Sequence, residues 1–268
     1  MAKVLAISSH VVRGHVGLDA TVPALQWLGH EVWALPTVIV ASRPGLGRMA
    51  RHDLPASELA DMLAALEADG CWPSLDAVMT GYFATPDAAV AAAQAIRRIK
   101  AANPRILVLV DPVLGDAGRL YVLPETAEAM RRELIPQAAV ATPNLFELQW
   151  LAGSSASGID ATAQAAGRLG PAAVAVTSAA ETDTTVTTLL VTRRGRIERE
   201  TPRRTGIPNG AGDLFAGLLL GHLLNSHADA AALEASLADL DRVLSASAGR
   251  DVLQLSALSA PGRPGSPG

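Results

Sequence analysis

The chain has 268 residues, of which 49% are hydrophobic and 18% charged, and carries a net charge of −4. That length and apolar content suit one α/β domain with a large core, and so mild an acidic balance excludes the basic footprint of a nucleic-acid-binding protein. The one cysteine, Cys71, excludes an intramolecular disulfide and fits a reducing compartment.

The N-terminus, MAKVLAISSH, lacks the apolar region of a signal peptide. No apolar run approaches the roughly 18 residues of a membrane span, so a soluble, cytoplasmic protein is expected. Val4–Ile7 reads as a strand and Leu18–Leu28 as a helix. Glu31–Leu35 and Thr37–Val40 read as two further strands, and Ser57–Ala68 as a helix. Ala77–Thr80 is extended, followed by a helix from Asp87 to about Ala102. Ile106–Val110 is an unbroken aliphatic run, the pattern of a strand buried on both faces. Val140–Thr142 is a short strand among helical stretches at Thr126–Leu134, Leu145–Ala152 and Ala161–Leu169. Strands return at Ala173–Val176, Thr187–Thr192 and Arg196–Glu200, the last two joined by a hairpin turn at Arg193-Arg194-Gly195. Helices at Asp213–Leu224 and Ala228–Ser247 close the domain. The alternation predicts a mainly parallel sheet with helices on both faces, in one domain over residues 1–255. Residues 256–268 end in a Pro/Gly-rich stretch and are expected to be a disordered tail.

Several nucleotide chemistries are excluded. A Walker A loop requires Gly-Lys-Ser/Thr, yet the two lysines, Lys3 and Lys100, follow Ala and Ile. The protein-kinase motif set and HExxH are absent. A GxGxxA match at Gly45–Ala50 follows Pro44 and does not run directly from strand into helix, so it is not read as a dinucleotide site.

The segment richest in chemistry is Ile207-Pro-Asn-Gly-Ala-Gly-Asp-Leu-Phe-Ala-Gly217. Gly210-Ala211-Gly212 meets the start of an apolar helix. Small residues let a backbone approach a ligand closely, and the free N–H groups of a first helical turn attract anions. Asp213 falls in that turn, where a carboxylate beside a phosphate cradle could take a proton from a hydroxyl. An ordinary helix-start aspartate fits the same pattern. Two acidic segments precede it. Asp111-Pro-Val-Leu-Gly115 follows a buried strand, where ligands of open α/β sheets gather. In Thr142-Pro-Asn-Leu-Phe-Glu147, Asn144 and Glu147 are spaced to share one helical turn, Glu147 either as a site carboxylate or as a cap.

Asn209-Gly-Ala-Gly-Asp-Leu-Phe-Ala-Gly217 resembles the signature of the ribokinase-like family of sugar and vitamin kinases, and Asp111 and the Asn144–Glu147 element follow that family's order. Ser8-Ser-His-Val-Val-Arg-Gly-His-Val-Gly17, Trp27–Thr37 and Gly81-Tyr82-Phe83 are similar to its pyridoxal kinase branch, so the resemblance spans residues 2 to about 250. It implies a three-layer α/β/α fold and ATP-dependent phosphorylation of pyridoxal or another B6 vitamer. Asp213 is implied as the base, and Gly210, Ala211 and Gly212 as stabilisers of the phosphoryl group. Ser9, Val16, Val40, Tyr82 and Asp213 are implied around the substrate. Asp111, Thr142, Asn144, Glu147, Thr177, Ser178 and Asn209 are implied around ATP, with Asp111 and Glu147 near Mg²⁺. A monovalent cation such as K⁺ is left open, and a homodimer is implied. The glycines of Gly115–Tyr121 fit either a mobile cover over the nucleotide or an ordinary surface loop. Where many relatives carry Ser-Asn-His-Thr, this chain has Ala41-Ser-Arg-Pro44. A polar contact is thereby lost, which opens the choice between B6 vitamers and a related pyrimidine alcohol; a vitamer-binding protein without catalysis is the remaining alternative.

Overall fold

A computed structural model describes residues 1–43, 45 and 50–259. The expectations placed on Pro44, on most of the Gly45–Ala50 match and on residues 260–268 lie outside the described residues. The chain runs β1 (Lys3–Arg13), α1 (Leu18–Trp27), β2 (Glu31–Ser42), β3 (Arg51–Asp53), α2 (Ala56–Ala68), β4 (Ala77–Thr80), α3 (Pro86–Ala102) and β5 (Leu107–Val110). A small hairpin follows, β6 (Gly115–Asp116) and β7 (Arg119–Leu120), then α4 (Pro124–Ala129), which continues through a π turn at Met130–Leu134. The second half comprises β8 (Val140–Ala141), α5 (Leu145–Ala152), α6 (Ile159–Arg168), β9 (Ala173–Glu181), β10 (Thr185–Thr192), β11 (Gly195–Pro202), α7 (Ala211–Leu224) and α8 (Asp229–Ser247).

Among the described residues one sheet has the order β11-β10-β9-β8-β5-β4-β1-β2-β3. It is parallel from β9 through β2, with antiparallel pairs at both edges. The parallel strands are buried on both faces, as their aliphatic runs required. Leu59, Leu63, Ile96 and Ile99 of α2 and α3 pack on one face. Leu25, Phe215 and Leu219 of α1 and α7 pack on the other with Leu233 of α8. The result is the three-layer α/β/α arrangement. Within this sheet β2 and β3 lie on one side of β1, and β4, β5 and β8 to β11 on the other, while β6 and β7 pair apart from it. The order therefore reverses between β1 and β4, and a crevice opens at their C-terminal ends, where open α/β sheets bind ligands.

Three differences from the sequence reading have local causes. The two strands expected around Pro36 are one strand, β2, because a bulge absorbs the proline. Ser8 pairs with Pro36 and Ser9 with Val38, which leaves Thr37 out of register. Thr37 uses that freedom to donate its hydroxyl to the Tyr82 carbonyl at 2.7 Å. β3 has no apolar alternation to announce it, since Arg51-His52-Asp53 is exposed throughout. The start of the expected tail is folded: Leu255–Ser259 forms a 3₁₀ turn that buries Leu258.

α7 reaches α1 closely because of two glycines. A Cβ on Gly217 would lie 3.0 Å from the Thr21 Cα, and one on Gly221 would lie 2.4 Å from the Leu28 Cδ1. Gly217→Ala should push against backbone and cost about 1–3 kcal/mol, a fall in melting temperature of several degrees that calorimetry would read. Gly212→Ala, which meets open space, should lower it much less.

Candidate active site

A cavity of about 810 Å³ occupies the crevice at the sheet's switch point. It gathers Ser9, Val16, Val40, Tyr82, Asp111, Thr142, Asn144, Glu147, Thr177, Asn209, Gly210, Ala211, Gly212 and Asp213, which the sequence had scattered over some 200 positions. Ser178 is not among its lining residues. It stands at φ +50, where β9 departs from regular pairing with β10, and only its neighbour Thr177 reaches the cavity. A shallower hollow of about 550 Å³ between Val90, Pro124 and Trp150 contains none of this chemistry.

The cavity is built where two glycine turns cross. Gly210 has φ +112, and a Cβ there would lie 1.9 Å from the His15 carbonyl oxygen, so only glycine fits. Gly17, at φ +62, faces Ser9 in the same way, with a Cβ 2.2 Å from the Ser9 Oγ. The Gly17 N–H donates to the Asp213 carboxylate in the first turn of α7. The loop that carries Gly17 is held by Asp19, whose Oδ2 accepts the Val11 N–H at 2.6 Å and pairs with the His10 Nδ1 at 2.9 Å. Burial lifts the Asp213 carboxyl to about 6. The Gly17 and Asp213 N–H groups oppose the lift, and the charge of Asp19 adds to it. Half-buried, the side chain still opens on the cavity.

Two further carboxylates that line the cavity are buried outright. Asp111, at the end of β5, accepts the Thr142 hydroxyl on Oδ1 at 2.9 Å. Burial first, then the charges of Asp213 and Glu147, push it well above the usual carboxylate range. Glu147 is a helix cap and a site carboxylate at once. Its Oε2 accepts the Asn144 N–H and the Asn144 Oδ1 accepts the Glu147 N–H, both at 2.8 Å, forming the capping box of α5. Its Oε1 accepts the Leu114 N–H at 2.9 Å. Burial raises Glu147 to about 8 against the pull of these amides.

This clamp changes the reading of Gly115–Tyr121. The segment is the β6–β7 hairpin, anchored at its base where the Asn144 Nδ2 donates to the Gly115 carbonyl at 2.8 Å. A Cβ on Gly115 would lie 2.2 Å from the Arg119 carbonyl oxygen. Asp116, Arg119, Leu120 and Tyr121 of this hairpin line the cavity.

Three facing carboxylates suit a divalent cation, which would relieve the repulsion that raises Asp111. Among the described residues no group of three or more His, Cys, Asp or Glu could cage a metal, and the oxygens of Glu147 already accept backbone N–H groups. The arrangement fits an ion that keeps water and leans on phosphate oxygens, with Asp111 nearest to direct contact because Thr142 engages only one of its oxygens.

The sequence reading passed over Val11 and Val38, which join Val40, Val16 and Tyr82 in one apolar cluster. It also passed over Arg51, which enters the cavity from β3. The valines carry a signal in their β-branched runs. Arg51 carries none, since only strand pairing with Val40 brings it to the site.

The family model for phosphomethylpyrimidine kinase matches residues 13–251. The pyridoxal kinase PdxY of Rubrobacter xylanophilus is 39% identical over 229 residues, 82% of this chain and 79% of that protein. The pyridoxine/pyridoxal/pyridoxamine kinase of Bordetella avium is 38% identical over 87% of this chain and 81% of its own length. A solved pyridoxal kinase from Leishmania donovani, in complex with ADP and pyridoxine, superposes with a TM-score of 0.89 at 29% identity, covering 97% of this chain and 96% of that one.

The raised carboxyls bear on stability. A carboxyl lifted on folding is stabilising while protonated, and that contribution is lost as pH rises through the folded value. The ligand-free protein should therefore lose stability between about pH 4.5 and 8 as Glu147 and Asp213 ionise, each tenfold gain in proton affinity on folding being worth about 1.4 kcal/mol. Melting curves across this range should show the decline. Glu147→Gln should start lower, because an amide cannot accept both sets of N–H groups, and should fall less steeply; an equal slope would remove Glu147 as the cause.

Proposed function

The chain belongs to the phosphomethylpyrimidine kinase family, and we propose that it transfers the γ-phosphoryl group of ATP to the 5′-hydroxymethyl oxygen of pyridoxal or a close B6 vitamer, giving pyridoxal 5′-phosphate for vitamin B6 salvage. The observation that carries this reading is the Asp213 carboxylate, steered by the Gly17 amide at the start of α7 and opening on a cavity with an apolar half and an acidic half.

In this reading the flat ring lies against Val11, Val16, Val38, Val40 and Tyr82, with Ser9 as a polar anchor. The hydroxymethyl group meets Asp213, which accepts its proton as the oxygen attacks the γ-phosphorus in line. A value of about 6 leaves Asp213 mostly ionised near neutrality while still basic enough to hold the proton. The N–H groups from Gly210 to Gly212, at the positive end of α7, face the charge that grows on the phosphoryl oxygens. Gly210 can take this part because its positive φ brings bare backbone to the cavity. Thr142, Asn144, Thr177 and Asn209 are assigned to the nucleotide end, where Ser178 does not line the cavity. Mg²⁺, the proposed divalent ion, would be held by Asp111 and, through water, by Glu147, and would neutralise phosphate charge.

The proposal extends to one kinase domain running to Ser259 and acting as a cytoplasmic homodimer, which sedimentation velocity would test. A pyrimidine alcohol is the second reading, favoured by the family model's own description. Calorimetric titration with both ring types separates the two.

An absorbance assay of pyridoxal 5′-phosphate formation with Mg-ATP should show saturable turnover. Asp213→Asn should bind pyridoxal with nearly unchanged affinity and lose about 10²–10⁴-fold in kcat, and kcat/KM of the native chain should rise with pH through about 6. Near-native turnover by the asparagine variant would overturn the assignment of the base.

A further inference from the structure

Arg51 places a guanidinium in the wall of the mainly apolar end of the cavity. It lines the cavity with Val11, Val38, Val40 and Tyr82. Its place is set by β3, where it pairs with Val40 of β2. Two of its donors are spent on Asp53, with the Nε at 2.9 Å and a terminal nitrogen at 2.6 Å from the same oxygen. Tyr82 takes another, since its phenol hydrogen-bonds the guanidinium. A guanidinium has five N–H donors in a fixed fork, so about two remain for whatever occupies the pocket. Asp53 does not line the cavity. A ligand therefore meets the cation before it meets the counter-charge.

We propose that Arg51 is a specificity-determining residue that selects ring alcohols bearing an anionic or acceptor oxygen and disfavours those bearing an ammonium group. The inference rests on the kinase reading above. With the reacting hydroxyl at Asp213, the ring lies among the valines and Tyr82, and its remaining substituents face Arg51. An aldehyde, hydroxyl or phenolate oxygen accepts from the free N–H donors. An aminomethyl group, protonated at neutral pH, offers no acceptor and repels the guanidinium. Between like charges near a protein surface that repulsion is large enough to count, and Asp53 only partly offsets it. Among B6 vitamers the order of preference is then pyridoxal and pyridoxine ahead of pyridoxamine.

The test compares pyridoxal with pyridoxamine, first by calorimetric binding without ATP and then by kcat/KM with Mg-ATP. The native chain should favour pyridoxal by about tenfold or more in both readouts. Arg51→Met, which keeps the bulk and removes the charge, should bring the ratio to within about threefold. Asp53→Asn, an exposed change that leaves the guanidinium less neutralised, should widen it. Opposite movements in the two variants cannot arise from general damage to the fold. Equal preference in the native chain, or a ratio unmoved by both substitutions, overturns the role of Arg51. Selective binding without phosphorylation would sink the kinase reading and leave the role of Arg51 standing, and binding of neither vitamer would overturn both.

Discussion

The contact on which the site depends is the crossing of two tight turns, one after β1 and one before α7. At this crossing the Gly17 N–H reaches the Asp213 carboxylate, and the Gly210 backbone passes so close to the His15 carbonyl that no side chain could stand there. One turn belongs to the first strand of the sheet and the other to the penultimate helix. Their meeting requires the whole sheet to be assembled and α7 to lie close against α1. The glycines at Gly217 and Gly221 supply that closeness. Sheet order, helix packing and the orientation of one carboxylate are thus a single geometric problem.

A second constraint is electrostatic. Asp111, Glu147 and Asp213 share one cavity and all stand above ordinary carboxylates, chiefly through burial; the charges of the other two add to the rise only at Asp111, while Asp116 acts on Glu147 and Asp19 on Asp213. A fold selected for stability alone would not bury two acids and half-bury a third around one cavity. The tension is the kind stored at functional sites. In the proposed kinase reading a cation and the phosphate groups would meet these acids without a closed metal cage. The apolar cluster of Val11, Val38 and Val40 beside these acids divides the cavity into an apolar end and an acidic end.

Glu147 shows how one side chain can carry two assignments. As the third residue of α5 it closes a capping box with Asn144, and with its other oxygen it ties down Leu114 at the root of the β6–β7 hairpin. The hairpin's glycines look like a hinge, yet Gly115 is required by close backbone packing, and the segment is held at its base. Capping and site building are the same set of hydrogen bonds.

Most of the architecture was legible because its signals are local. Aliphatic runs such as Ile106–Val110 carry the pattern of strands buried on both faces, and the Gly210–Asp213 turn announces a helix start. What is written in contiguous residues, including Ser9, Asp111, Asn144 and Asp213, was readable by position. Pairing and proximity were not. The bulge that makes β2 one strand depends on where β1 meets Pro36, and β3 exists only because Val38–Val40 offers an edge to three exposed residues. Thr177 lines the cavity while its neighbour Ser178, at a positive φ, does not, a difference that two adjacent hydroxyl residues do not announce. Arg51 was invisible because a charged residue in a polar tripeptide has no pattern. The sequence by itself determined the class of fold and the places of the glycine-rich turns, since those follow from short-range sterics and burial. The tertiary structure alone decided which charges face one another and which cation enters the ring pocket, since these depend on strand register between segments distant along the chain.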